Sequence, residues 1–143
     1  MQVGHAPVPH GPRAYRTQLR VLGPIAALAP PAVLALAALL ALAGDGSPGR
    51  GVVGFVCAVL AAPGLLVAGV PLATGGGTWA LALLGSAALW IALGSVASRR
   101  ATSTPVASWR DYWRELSWLA IAVWVGVALA LVATQLLIGR ALL

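Results

Sequence analysis

Lysine and asparagine are absent from this chain of 143 residues, and the usual chemical groups are scarce: three Asp and Glu together, two His and a single cysteine, Cys57. One cysteine excludes an internal disulfide framework, and so few ligands and bases leave no stock for most metal sites or catalytic dyads. Charged residues make up 8% of the sequence, far below the roughly 25% of soluble globular domains, while hydrophobic residues make up 60% and the mean hydropathy is +0.93. That balance describes a chain solvated by lipid.

All nine basic residues are arginines, giving a net charge of +6. They are divided among short connecting segments, where they serve orientation and contact with anionic headgroups. A nucleic-acid interface would need them gathered on one face, so no nucleic-acid partner is expected.

Residues 1–20 read as a polar tail with His5, His10, Arg13, Arg16 and Arg20, too broken by proline for a packed element, and residues 21–143 as a single membrane domain. Four apolar stretches follow the tail, at about 21–43, 51–72, 78–98 and 117–138. Each is long enough for a helix to cross about 30 Å of hydrocarbon, which takes roughly 20 residues. Only a helix satisfies every backbone group within one such segment, so the expected fold is all-α with four transmembrane helices. Pro30 and Pro31 interrupt the first stretch and Pro63 the second, so both helices are expected to be kinked there. Ala41-Leu42-Ala43 before Gly44 also matches a signal-peptide cleavage pattern, against which the long basic region and the extended apolar run weigh.

With four crossings, Arg13, Arg16, Arg20 and Arg140 fall on one side and Arg50, Arg99, Arg100, Arg110 and Arg114 on the other. Four against five gives the positive-inside rule nothing to act on. If the first stretch instead turns back at its prolines, eight arginines share a side and only Arg140 opposes them.

Residues 104–116 form the richest connection. Thr104 and Pro105 have the pattern of an N-cap and first helical residue, and Ser108 with Asp111 that of a second start. Beyond them Trp109, Arg110, Tyr112, Trp113 and Arg114 form an amphipathic turn or two leading to Trp118. Aromatic rings with one polar atom prefer the membrane interface, so these six residues are the candidate contacts to membrane lipid headgroups, with Asp111 pairing to Arg114 one turn on.

In the last helix Ala122, Gly126, Ala130 and Thr134 recur at four-residue spacing, a small-residue ridge that lets another helix approach closely. Trp90 and Trp124 fall at one depth if the last two helices pack antiparallel, and their indole N–H groups then need Ser86 or a freed carbonyl. The breaks at Pro30, Pro31 and Pro63 resemble those that expose backbone in transporters, but no ionisable residue accompanies them. Asp111 and Glu115 lie among arginines and should stay ionised, and Cys57 reads as a small buried residue.

The expectation is therefore a small non-catalytic multi-pass protein of the cell membrane without cofactor or metal. It would act through lateral helix contacts, as an accessory or assembly subunit of a membrane complex or by self-association. The alternative is a small transporter or pore built on the broken helices.

Overall fold

The computed structural model describes residues 12–44, 46–69, 76–103 and 107–141, with side chains described for 15–44, 46–69, 76–103 and 107–137. Of these residues 88% are helical, and no strand occurs among them. The helices are α1 (Pro12–Ala26), α2 (Ala29–Leu42), α3 (Pro48–Ala61), α4 (Gly64–Val67), α5 (Gly76–Ala101) and α6 (Trp109–Ala141). Three runs are long and apolar enough to cross a membrane: Tyr15–Leu42, Gly76–Ala101 and Trp109–Leu137. Among the described residues the fold is all-helical, with three candidate membrane-spanning runs.

Four departures from the sequence reading stand out. Residues 12–20 are not a loose tail but the start of α1, and Leu19 is fully buried. Pro12 opens that helix, where its missing N–H costs nothing, and Leu19 packs with Ala97, Ala101, Tyr112 and Leu116. The remaining tail, with His5 and His10, lies outside the described residues.

The first apolar stretch is two helices meeting at Ala27 and Leu28. Pro30 and Pro31 fall within the first turn of α2, where helix N–H groups have no intrahelical acceptor. Backbone bonding continues through the join, from Ala27 N to Gly23 O at 3.0 Å and from Ala32 N to Leu28 O at 3.0 Å.

The second stretch is not one helix over 51–72. Its 14-residue α3 ends at Ala61, too short to count among the spanning runs. Pro63 is the cause: its ring disfavours the helical conformation for the preceding residue, and Ala62 sits at φ −132°, ψ 79°.

The separate interfacial helix expected at 104–116 is absent as such. From Trp109 onward the segment is continuous with the last apolar stretch in a single 33-residue α6. Nothing between Trp109 and Ser117 breaks a helix, and Ser108 starts it by accepting from Asp111 N at 3.2 Å. Thr104 and Pro105 lie outside the described residues.

The packing follows a consistent register. α2 and α3 form an antiparallel hairpin, closest where Gly54 faces Leu42 and Ala38. Arg50, past the turn, donates to Leu40 O at 3.0 Å and Ala41 O at 3.3 Å, satisfying carbonyls left open at the end of α2. α3 packs against α6, where Trp124 Nε1 reaches Leu60 O and the two helices line a shared crevice. α4 then descends along α5, with Gly64 beside Ser86 and Val67 and Ala68 near Thr78 and Leu81. Thus α3 ends at about the height of Trp90, and α4 turns back along α5 toward its start.

Candidate functional site

The polar chemistry gathers at the end of the bundle where α1, the C-terminus of α5 and the N-terminus of α6 meet. A cluster of Leu19, Ala27, Ala97, Ala101, Tyr112 and Leu116 forms the core there. Small residues make the approach of α1 and α5 close: a Cβ on Gly94 would lie 2.5 Å from the Ala27 Cβ and 2.9 Å from the Pro24 Cα. The hydroxyls of this face are internally satisfied, Ser98 donating to Gly94 O at 2.7 Å and Thr102 to Ser98 O at 2.8 Å.

The aromatic segment divides in two. Tyr112, read from the sequence as an interfacial ring, is 0% exposed and donates its hydroxyl to Gly23 O. Trp109 and Trp113 flank it edge-on, with ring centroids 5.4 Å and 5.3 Å away. Trp113 and Trp118 are exposed, as are Arg110 and Arg114. Asp111 lies 3.7 Å from Arg114, and Glu115 lies 3.9 Å from Arg114 and 3.8 Å from Arg100. These partly exposed pairs neutralise both carboxylates and are individually weak. Among the described residues no three His, Cys, Asp or Glu side chains come together as a metal site.

A second polar centre lies deeper, where Pro63 divides α3 from α4. Ending α3 releases carbonyls, and two indoles take them: Trp90 Nε1 donates to Ala61 O at 2.9 Å and Trp124 Nε1 to Leu60 O at 3.2 Å. The rings themselves meet edge-on at 6.3 Å. On the far side of the break, Gly64 N donates to Ser86 Oγ at 2.9 Å, and that hydroxyl passes its own proton to Ala82 O at 2.7 Å. Gly64 has to be glycine for this approach, since a Cβ would fall 2.5 Å from Ala82 O.

Among the described residues nothing covers the ridge of α6. Ala122, Gly126, Ala130 and Thr134 are all exposed, a Cβ on Gly126 would meet nothing within 4 Å, and Thr134 turns its hydroxyl to Ala130 O at 2.8 Å. Cys57 is a free thiol of intermediate exposure on α3.

No protein-family model, curated protein or solved structure matches this chain. Its reading therefore rests on its own residues.

Sequence reasoning missed three contacts: Tyr112 with Gly23, Gly64 with Ser86, and Arg20 Nε donating to Thr102 Oγ1 at 3.2 Å. A signal was present for the last, since Gly94, Ser98 and Thr102 make a small polar row at four-residue spacing facing Gly23 and Ala27.

Proposed function

We propose that this is a small non-catalytic protein of the cell membrane that works by lateral helix contact, as an accessory or assembly subunit of a larger complex or as a homo-oligomer. The observation carrying this reading is the exposed ridge of α6. Its small residues create a path for close helix approach, and among the described residues no helix uses it. The polar groups inside the bundle are engaged in holding it together, and the carboxylates at its end are compensated by arginine. No nucleophile with an adjacent base accompanies them, which weighs against catalysis.

The transport reading needs backbone groups turned toward a substrate path. Here the carbonyls of Leu60 and Ala61 and the N–H of Gly64 are taken by Trp124, Trp90 and Ser86, which favours a structural joint over a gate.

The arrangement best supported has three crossings, with α3 and α4 forming a re-entrant hairpin that enters and leaves on one side. The short length of α3 and the return of α4 along α5 motivate it. Arg13, Arg16, Arg20, Arg99, Arg100, Arg110 and Arg114 then share an end against Arg50 and Arg140, and the arginine-rich end faces the cytoplasm.

The deciding experiment is extraction of the tagged protein in mild detergent, followed by mass determination and identification of what copurifies. Stoichiometric membrane partners or a defined oligomer, lost on Gly126→Leu, are the expected result. A lone monomer whose behaviour is unchanged by Gly126→Leu would refute the reading.

A further inference from the structure

Two arginines at the end of the bundle where α1, α5 and α6 meet, Arg20 and Arg99, stand apart from the ion pairs around them. The carboxylates there engage Arg100 and Arg114, and among the described residues Arg99 has none within 4.0 Å. Arg99 and Arg20 instead line a cavity of about 480 Å³ between α1 and α5, together with Pro24, Ser95 and Ser98. Among the described residues no carboxylate lines it.

The side chains around this cleft are set for an anion. Arg20 is fixed by its Nε bond to Thr102 Oγ1, which leaves the terminal nitrogens of the guanidinium for a second acceptor. Ser95 and Ser98 direct their protons to Ile91 O at 2.8 Å and Gly94 O at 2.7 Å. The serines therefore supply a short, polar wall, and charge recognition falls to the two guanidinium groups. A planar guanidinium matches phosphate oxygens in pairs, which a lone ammonium does not.

We propose that this cleft binds the phosphate of an anionic phospholipid headgroup. The cleft is distinct from the lateral contacts of α6 and binds whether or not those occur. Phospholipid is favoured over free phosphate by what lies beneath: one turn deeper on the same face of α5, Ile91 is 41% exposed, an apolar wall below the charged mouth. A lipid presents the matching order, phosphate outermost and acyl chain inward.

The test uses the full chain in nanodiscs of phosphatidylcholine doped with phosphatidylglycerol, with retained lipid read by native mass spectrometry after release into mild detergent. Phosphatidylglycerol is expected to be retained in preference to phosphatidylcholine, and Arg99→Gln to lower that preference about fivefold, the effect of one surface arginine on anionic lipid. Ser95→Leu fills the cleft without changing charge and is expected to lower it at least as much. Arg99→Lys, with the charge restored, is expected to retain more than Arg99→Gln, which separates binding from loss of fold. Three results would overturn the proposal: Ser95→Leu retaining lipid as the parent does, Arg140→Gln at the opposite end losing as much as Arg99→Gln, or retention without headgroup preference that inorganic phosphate displaces. The first two assign the effect to diffuse surface charge, the third to a free phosphate site.

Discussion

The hydroxyl of Tyr112, in the first turn of α6, donates to the carbonyl of Gly23, near the end of α1 and 89 positions earlier in the chain. The bond clamps two helices that are distant in sequence, and the ring that carries it is wholly buried. Gly23 is required for it: a Cβ there would collide with Ser98 Oγ and lie 3.0 Å from the Tyr112 ring. Tyr112→Phe removes only the hydroxyl and leaves the Gly23 carbonyl bonded to Ala27 N. It should cost about 1 kcal/mol, whereas Tyr112→Ala, which also empties a core position, should cost about 3–5 kcal/mol. Denaturant unfolding in micelles, followed by circular dichroism, checks both; equal losses for the two variants would mean that the hydroxyl, not the packing, holds the joint.

The Trp pair makes a graded prediction. Trp90 is 1% exposed and bonds Ala61 O at 2.9 Å, while Trp124 is only partly buried and bonds Leu60 O at 3.2 Å. Replacing each by Phe keeps an aromatic ring and removes the donor. Trp90→Phe should lower stability by about 1–2 kcal/mol, and Trp124→Phe by roughly half as much, because the bond of Trp90 is the shorter and its ring the more deeply buried. The double variant should fall short of the sum, since the rings touch and share one helix end.

Much of the scaffold was legible in the sequence, and the reasons it stopped being legible are physical. Apolar length marks a helix whatever it packs against, so α5, α6 and the Tyr15–Leu42 run lie close to where composition places them. Length does not reveal where a helix stops within an apolar run. Pro63 was visible as a disruption, but whether the helix bends or ends depends on side chains elsewhere that can take the released groups. Trp90, Trp124 and Ser86 do so from positions 22 to 64 residues away. Tyr112 failed for the opposite reason: the same amphipathic ring suits the membrane interface and a buried hydroxyl bond, and only the carbonyl of Gly23 decides between them. The ridge on α6 was recognisable by spacing, yet spacing carries no information about which surface covers it.

The glycines of α5 provide a matched pair. A Cβ at Gly94 would press on Ala27 and Pro24, while a Cβ at Gly85 would meet nothing within 4 Å. Gly94→Ala should separate α1 from α5 at a cost of about 1–3 kcal/mol, the range for overpacking a close contact. Gly85→Ala should be neutral or stabilising by up to about 1 kcal/mol through reduced backbone freedom of the unfolded chain. Thermal unfolding of the two variants side by side is sufficient, and a similar shift for both would remove the close approach as a determinant of the fold.

The re-entrant path proposed for α3 and α4 has a consequence that labelling can read directly. In a Cys57→Ala background, single cysteines at Gly46, Gly76 and Ser103 report the turn before α3, the start of α5 and the turn after α5. Four crossings would put Gly46 with Ser103 and leave Gly76 opposite. Three crossings with a re-entrant hairpin put Gly46 with Gly76 and leave Ser103 opposite, on the arginine-rich side. In intact cells an impermeant maleimide should therefore label Gly46→Cys and Gly76→Cys, and should reach Ser103→Cys only after the membrane is opened, because that side is held inside by its arginines. Labelling of Gly46→Cys and Ser103→Cys together, with Gly76→Cys protected, would restore a full crossing for the second stretch and return the arginines to near balance across the membrane.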